Sequence, residues 1–310
     1  MTNEKEKNKA YPSYINLYRS GELDERIKKL KSYYQCCTLC PRDCRVNRLK
    51  GETGKCQATA SLKISSAFAH FGEERPLVGT KGSGTIFFSN CGLRCIYCQN
   101  YTISIKGEGV MVDEQRVAKS MMKLQALGCH NINLVTPTHY VPGIVSALKI
   151  AVSKGLEIPL VYNTGGYEKL EILKLLDGIV DIYLPDYKYT IPESAAKYSS
   201  EAYNYPYYVQ IAFKEMYRQV GNLVLDRRGV AKRGLMIRHL ILPNRVSGSR
   251  EFLEFVATEL SKDGYLNLMR QYRPEYRARE FPEINRRISG KEYREVLEWA
   301  DELGLSNLDR

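Results

Sequence analysis

The sequence predicts an α/β fold, a partial parallel (β/α)6 barrel of the TIM-like type with a small cysteine-rich N-terminal segment. Three observations support this prediction. From about residue 85 onward, short apolar runs alternate with helical segments, a pattern typical of a parallel sheet. The apolar runs are continuous rather than alternating, as in strands that are buried on both faces. Most of the nine cysteines lie in two groups, the first of them near the N-terminus.

The predicted strands are the six apolar runs, of which the first five contain β-branched residues that favour strands. In chain order they are Thr85–Ser89, Asn131–Val135, Pro159–Asn163, Val180–Leu184, Leu235–Leu242 and Tyr265–Met269. In parallel sheets of this kind, functional residues lie at the carboxyl ends of the strands. The residues that follow each run are therefore the candidate site residues.

The predicted helices lie before, between and after these runs. They are Leu23–Lys31, Asp113–Leu127, Val141–Lys154, Tyr167–Leu176, Glu193–Arg218 with a break near Tyr205, Ser249–Lys262 and a last amphipathic helix at Lys291–Leu303. Asp113 and Ser249 are predicted N-caps, since short polar side chains accept hydrogen bonds from the first free amides. Gly128, Gly155 and Gly178 are expected to end helices.

The composition is that of a globular protein, with 44% hydrophobic and 26% charged residues in 310, which excludes the disordered and fibrous classes. Two units are predicted, a metal-binding segment at 1–60 and a barrel at 61–310 whose core spans about 80–270. The opening MTNEKEKNKA lacks the apolar stretch of a signal peptide, and no apolar run reaches the ~20 residues of a membrane span. A cytoplasmic protein with no membrane association is therefore expected.

The net charge of +11 allows two interpretations. One is a solvated basic surface, and the other is a surface for an acidic partner, either an electron-transfer protein or nucleic acid. Arginines and tyrosines interleave between residues 270 and 287, a mixture that can bind nucleic acid or seal a barrel rim. No recognised nucleic-acid-binding module accompanies them, so the rim is preferred and nucleic acid is not the predicted partner.

The central motif follows the first predicted strand, where Cys91, Cys95 and Cys98 form a C-x3-C-x2-C pattern on one short loop. Thiolates are the usual ligands of iron–sulfur clusters. Three cysteines can bind three irons of a 4Fe–4S cubane, which leaves the fourth iron open for a ligand. The alternative is a structural zinc site, but such sites take four ligands and this loop offers three. The loop therefore predicts a 4Fe–4S cluster.

This cysteine pattern, with Tyr97 just before the third cysteine, resembles the signature of the radical S-adenosylmethionine superfamily. The wider sequence, from about Cys37 to the C-terminus, is similar to the branch of pyruvate formate-lyase activating enzyme. The resemblance implies that the open iron chelates S-adenosylmethionine and that the reduced cluster cleaves it to methionine and a 5′-deoxyadenosyl radical, which removes hydrogen from a substrate. Cys91, Cys95 and Cys98 would be the catalytic and cluster-binding residues. Tyr97 would lie near the adenine or pack at the loop base.

The resemblance also implies cofactor-binding residues at the strand ends. They are Thr136, Thr138 and His139 after the second strand, Asn163 and Thr164 after the third, Asp186 and Lys188 after the fourth, and Arg238 on the fifth. Asp186 and Lys188 match an Asp-x-Lys motif of the activating enzymes, and Arg238 matches an arginine. After the sixth strand, Asn267, Met269, Gln271 and Arg273 could line a substrate mouth.

Two departures from the related enzymes affect these assignments. The chain has Thr136-Pro137-Thr138-His139 where the superfamily commonly has Gly-Gly-Glu. Backbone carbonyls would then accept from the cofactor's amino group, supplemented by the threonine hydroxyls and His139, although His139 can equally be structural. Asn163 stands where the relatives carry an acid, and a histidine of theirs after the sixth strand is missing.

A second cysteine group comprises Cys37, Cys40, Cys44 and Cys56. Four thiols at this spacing fit either a structural zinc ion or an auxiliary iron–sulfur cluster. Zinc would stabilise a segment that is short of core, whereas a cluster could relay electrons. The spacing does not decide between the two metals.

Three functions are compatible with these observations. The first is a radical enzyme that removes hydrogen from a glycine of a partner, as glycyl-radical activases do, with flavodoxin or ferredoxin as the electron donor that the resemblance implies. The second is a radical enzyme acting on a small molecule, a peptide or RNA. The third is a non-enzymatic iron–sulfur or zinc scaffold, which would not cleave S-adenosylmethionine.

Overall fold

A computed structural model describes residues 11–309, so the opening MTNEKEKNKA and Arg310 lie outside the described residues. Within this range the chain forms nine strands. They are β1 (Leu62–His70), β2 (Ser83–Phe88), β3 (Val110–Val112), β4 (Ile132–Val135), β5 (Leu160–Thr164), β6 (Ile182–Pro185), β7 (Val224–Leu225), β8 (Ala231–Leu240) and β9 (Tyr265–Met269). All six predicted strands are confirmed, as β2, β4, β5, β6, β8 and β9.

The same residues form eleven α-helices. They are α1 (Tyr14–Ser20), α2 (Glu22–Ser32), α3 (Arg75–Val78), α4 (Tyr101–Ser104), α5 (Glu114–Ala126), α6 (Val141–Ser153), α7 (Leu170–Leu176), α8 (Pro192–Tyr198), α9 (Tyr205–Val220), α10 (Ser249–Phe255) and α11 (Gly290–Glu302). A π-helical turn, Val256–Leu260, continues α10.

The strands form one open sheet in the order β3-β1-β2-β4-β5-β6-β8-β7, with β9 also paired to β8. The six strands β2, β4, β5, β6, β8 and β9 run parallel to one another in chain order. By contrast, β1 is antiparallel to β2 and β3, and β7 is antiparallel to β8. The fold is therefore α/β with a mixed, mostly parallel sheet, as predicted in its class.

The three antiparallel strands β1, β3 and β7 were not predicted. In β1 the burial pattern is irregular and its far end is partly exposed. β3 has only three apolar residues and is almost wholly exposed, so neither shows the longer continuous apolar run of a buried strand. β7 has only two residues. These strands extend or cover the edges of the parallel sheet, where polarity patterns give a weak signal.

The helix-end predictions are mostly confirmed. Asp113 caps α5 by accepting from the Arg116 amide at 2.8 Å, and the three helix-ending glycines have left-handed backbones. The predicted break near Tyr205 separates α8 from α9. The Ser249 N-cap is wrong, because Ser249 is already helical and its hydroxyl lies 2.9 Å from the His239 ring.

A small apolar cluster forms against one face of the sheet. Leu77 of α3 lies there with Val161, Ile182, Leu184 and Met236. The N-terminal helices α1 and α2 join the larger core on the other side, through residues such as Tyr14 and Leu23. The cysteine-rich stretch at 36–61 has little regular structure. It lies against the carboxyl ends of the parallel strands, where its contacts are described below.

No helix in residues 11–309 combines the length and the apolar character that crossing a membrane requires.

Candidate functional site

The loop at 89–99 carries the three predicted cluster ligands and follows directly from β2. Asn90 and Arg94 have positive φ angles of 73° and 49°, a conformation that asparagine tolerates and arginine rarely adopts. These two residues directly precede Cys91 and Cys95, and their left-handed conformations turn the chain sharply at both cysteines. Cys95 is 8% exposed, and Cys91 and Cys98 are partly buried. Backbone strain of this kind is typical of functional loops.

The three loop thiols are at least partly buried, and they also have polar neighbours. The Ser199 hydroxyl donates to Cys95 Sγ at 3.0 Å, and Cys98 Sγ lies 3.1 Å from the Ser104 hydroxyl. Burial raises the pKa of all three thiols, and the nearby Lys188 opposes this rise. In the absence of a further cation the thiols are protonated, so a metal that binds them would displace protons.

Lys188 belongs to a line of charges at the ends of β6 and β8. Its ammonium lies 2.8 Å from Asp186 Oδ2, and Arg238 Nε lies 2.7 Å from Asp186 Oδ1. Arg238 also donates to Asn163 Oδ1 at 2.7 Å. Burial raises the pKa of Asp186, but Arg238 and Lys188 outweigh it, so the pKa stays below its ordinary value. Four predicted residues from three strands therefore meet in one network that reaches the thiols.

Of the two adjacent residues on β8, only Arg238 enters this network. His239 is fully buried, with its ring stacked on Phe252 and bound to the Tyr187 carbonyl at 2.7 Å. Successive residues of a strand face opposite sides of the sheet, which is why the two side chains have different neighbours.

The threonines at the ends of β4 and β5 meet a carboxylate that was not predicted. The hydroxyls of Thr138 and Thr164 both donate to Glu168 Oε1, the former at 2.6 Å. Glu168 is fully buried, and burial raises its pKa to about 7. Thr136 has φ of 59°, which is a strained conformation for a β-branched residue. Thr164 Oγ1 also accepts from the Gly166 amide at 3.4 Å. A hydroxyl oxygen has two lone pairs, so both threonines keep acceptor capacity in the pocket that they line.

His139 lies beneath the cysteine loop and is 2% exposed. Its Nε2 is 2.8 Å from the Ser89 carbonyl, and Nδ1 has no hydrogen-bond partner. Burial lowers its pKa to about 3, so the ring is neutral, Nε2 carries the proton and Nδ1 is an acceptor. The Ser89 contact is structural, and Nδ1 is a buried acceptor without a partner in a residue that helps to line the pocket.

Tyr97 packs in an aromatic cluster. Its hydroxyl accepts from Tyr189 at 2.6 Å, and its ring lies edge-on to Tyr189 and Tyr272. Tyr97 is 4% exposed. These contacts match the packing alternative, and proximity to an adenine stays a prediction.

The second cysteine group lies against the first. Cys40 and Cys56 line a pocket together with Cys91, Thr138 and His139. Cys37 is also buried, and Cys44 Sγ accepts from the Lys55 amide at 3.4 Å. The spacing in the sequence gave no sign of this adjacency, because some 35 residues separate the two groups.

Two charged residues of the second group fasten it to the rest of the site. The Arg42 guanidinium donates to the carbonyls of Gly92, Ser199 and Ser200 at 2.9, 2.8 and 2.6 Å. Asp43 pairs with Lys169 at 2.5 Å. Arg42 therefore ties the second cysteine group directly to the backbone of the cysteine loop.

All nine cysteines lie within the described residues and are free thiols. Among residues 11–309, no three Cys, His, Asp or Glu side chains are arranged so that they could hold a single metal ion. Ligands of one ion converge on one point, whereas the thiolates of a cubane each bind a different iron and stand farther apart. The lack of a single-ion site among the described residues therefore does not test the prediction of an iron–sulfur cluster.

Comparison with known proteins identifies a relative across most of the chain. The sequence is 33% identical over 293 residues to the uncharacterized protein MJ0674 of Methanocaldococcus jannaschii, covering 91% of this chain and 79% of the archaeal protein. This chain belongs to the MJ0674 family. Models of known protein families give no match. Membership in the MJ0674 family brings no activity with it, so the functional argument depends on the site.

Two residues of this MJ0674 family member were missed by sequence reasoning although a signal existed. Glu168 lies in the predicted helix Tyr167–Leu176, but the helix begins at Leu170 and Glu168 turns inward beneath the ends of β4 and β5. It is the first acid after a buried strand, a position that the strand-end rule marks. Arg42 lies inside the second cysteine motif itself.

Replacing Glu168 with glutamine is expected to change the pH dependence of stability. The folded pKa of about 7 lies above the ordinary 4.5, so between these values the folded protein holds a proton that the unfolded chain releases. The free energy of unfolding therefore falls as pH rises through this window, by about 3 kcal/mol for this group. Relative to wild type, E168Q should gain about that amount between pH 4.5 and 8 in urea unfolding of the metal-free, reduced protein. Parallel pH curves for the two proteins would contradict the assignment.

Proposed function

We propose that this protein is a radical S-adenosylmethionine enzyme whose 4Fe–4S cluster is held by Cys91, Cys95 and Cys98. One observation carries the proposal: three thiols share a strained, buried loop at the carboxyl end of the first parallel strand. The thiols have hydroxyl donors beside them and Lys188 nearby, surroundings that suit an anionic thiolate cluster. The fold would then be the partial (β/α)6 TIM-like barrel predicted from the sequence.

When bound, a reduced cluster of this kind supplies the electron that cleaves S-adenosylmethionine to methionine and a 5′-deoxyadenosyl radical, which abstracts hydrogen from the substrate. The chain's own residues would bind and orient the cofactor. Lys188 can meet its carboxylate and Asp186 its ribose hydroxyls. The Thr138 and Thr164 oxygens, whose protons go to Glu168, can accept from its ammonium group. Glu168, which follows the neighbouring strand β5, would thus orient these hydroxyls where the superfamily commonly has Gly-Gly-Glu.

Burial of the loop also limits access by water. Cys95, Ile96 and Tyr97 are each less than one-tenth exposed, and the second cysteine group covers the adjoining pocket. Exclusion of water protects a reactive radical from side reactions.

The second cysteine group would hold an iron–sulfur cluster rather than zinc. Arg48 is 2% exposed, and the neighbours that raise its pKa are Cys56, Cys37, Tyr34 and Cys40, with no carboxylate among them. Its Nη2 donates to Cys56 Sγ at 3.1 Å, and its Nε has no partner. A buried guanidinium needs a negative counter-charge, which metal-bound thiolates would provide. Four thiols that do not converge on one point fit a cluster better than a single zinc ion.

The proposed substrate is a glycine of a partner protein, with flavodoxin or ferredoxin as the electron donor in the cytoplasm. The resemblance to activating enzymes supports this choice. A small molecule, a peptide or RNA is the alternative substrate class, and it is supported by the departures at Asn163 and after β9.

Anaerobic reconstitution tests the enzyme proposal. The full chain is loaded with iron and sulfide, reduced with dithionite and given S-adenosylmethionine, and 5′-deoxyadenosine is measured. Product is expected from the loaded protein, and the metal-free protein is the control. A well-reduced, cluster-loaded protein that forms no 5′-deoxyadenosine would favour the non-enzymatic scaffold and reject the proposal.

A variant lacking all three loop cysteines tests the second group separately. With Cys91, Cys95 and Cys98 changed to alanine, the protein should keep about half of the iron and a cubane absorption spectrum. Replacing Cys40 as well should remove the remainder. Zinc in place of iron, or no metal at all, would contradict the second cluster without affecting the first.

A further inference from the structure

We propose that Glu73, Glu74 and Asn267 form a binding subsite for a cationic substrate group, an ammonium or a guanidinium. The subsite adjoins Arg238, which lines the same pocket. The inference rests on the proposed function, because it names the chemistry of the substrate that the enzyme would hold there.

A polar pocket beside β9 contains these residues. Its lining includes Glu73, Glu74, Arg238, Asn267 and Gln271. The two glutamates belong to the segment between β1 and β2, just before α3. Asn267 and Gln271 lie on and just after the last parallel strand, where a substrate mouth was expected from the sequence.

The charges around Arg238 leave an excess of negative charge in this pocket. Arg75 and Asp309 also line it and contribute one charge of each sign, so they do not change the balance. Arg238 Nη1 lies 3.5 Å from Glu73 Oε2 and 3.9 Å from Glu74 Oε1, but its Nε is already paired with Asp186. Counting Lys188 with Asp186, three carboxylates face two cations in this network. One buried negative charge is therefore left without a cation, which is costly unless a proton or a ligand compensates it.

Glu74 supplies a second, independent indication. It is 6% exposed, and its Oε1 accepts from Asn267 Nδ2 at 3.0 Å. Its other oxygen, Oε2, is buried without any hydrogen-bond partner. An ionised carboxylate normally accepts several hydrogen bonds, and when both glutamates are ionised the chain offers no donor to this oxygen.

An ammonium or a guanidinium meets both requirements at once. Each carries one positive charge and several N–H donors, so a single group can neutralise the excess charge and donate to Glu74 Oε2. The alternative is a proton held between the glutamates. Burial and the neighbouring Glu74 raise the pKa of Glu73 against the opposing effect of Arg238, so this proton would be the one that an incoming cation displaces.

Binding of a small probe tests the subsite without turnover. Propylguanidinium and its neutral analogue propylurea are titrated into the full-length protein at pH 8, and the dissociation constants are measured by calorimetry. The cation is expected to bind about tenfold or more tightly than the urea. Equal affinity for the two probes, or no binding of the cation, would overturn the proposal.

Isosteric variants locate the binding site. E74Q and E73Q should each weaken propylguanidinium binding about tenfold and leave propylurea unchanged, while the exposed control E251Q should bind as wild type does. Removing a charge from an unbalanced buried cluster is not expected to unfold the protein, and the melting temperature checks this for both variants. Unchanged cation binding in both E73Q and E74Q would reject the subsite. Because no cofactor is needed, this result is independent of whether the protein forms 5′-deoxyadenosine.

Discussion

Replacing Cys95 with alanine is expected to abolish 5′-deoxyadenosine formation. Cys95 is the most buried of the three loop thiols, and it receives the Ser199 hydroxyl hydrogen bond at 3.0 Å. With only two thiolates left on the loop, a cubane loses one of its three anchors and the open position for the cofactor is no longer defined. Product should fall below detection, and the iron bound by the loop should be lost, as measured by iron analysis and visible absorption.

Cys129 provides the matched control. It is also buried and free, but it lies just before β4, at the opposite end of the sheet from the loop. C129A removes a thiol from the core without touching either cysteine group, so iron content and product should match those of wild type. If C95A retained wild-type product, or if C129A lost as much as C95A, the assignment of the loop would be wrong.

The elements that the sequence predicted well are those with a strong local signal. β5 is buried along its entire length, so its apolar run is continuous and unmistakable. The N-cap of α5 was found because an aspartate precedes an amphipathic pattern. The antiparallel β3, with Val110 and Met111 exposed, carries no such signal, because its partner β1 and not its own polarity decides its structure.

The candidate site was predictable only where chemistry is encoded in short motifs. The spacing of the loop cysteines points to a cluster, and the rule for strand ends brings Asp186 and Arg238 together. Contacts between residues that are distant in the chain have no comparable signal in the sequence. The three bonds from Arg42 to carbonyls 50 to 158 residues away, and the inward turn of Glu74, depend on how loops from different units pack.

Replacing Asp186 with asparagine is expected to be the most destabilising single change in the charge network. The carboxylate lies between Arg238 and Lys188, and the three side chains are between 15 and 18% exposed. Asparagine leaves Lys188 without its anion and removes the closest anion of Arg238, whose contacts with Glu73 and Glu74 are longer, at 3.5 and 3.9 Å. Such a loss costs about 3–5 kcal/mol. Urea unfolding of the metal-free, reduced protein should show a decrease of that size in the free energy of unfolding.

Asp177 offers a comparison in which the same chemistry is exposed to solvent. It pairs with Arg218 at 2.6 Å, with side chains 40 and 58% exposed. Because solvent screens such pairs, D177N should cost less than about 1 kcal/mol. Both variants remove one aspartate charge from an arginine, so the difference between them reports burial together with the second cation, Lys188, that Asp186 also pairs with. A D186N protein no less stable than D177N would mean that Arg238 and Lys188 find other anions, and the network would then not be the rigid support that the proposed cofactor site requires.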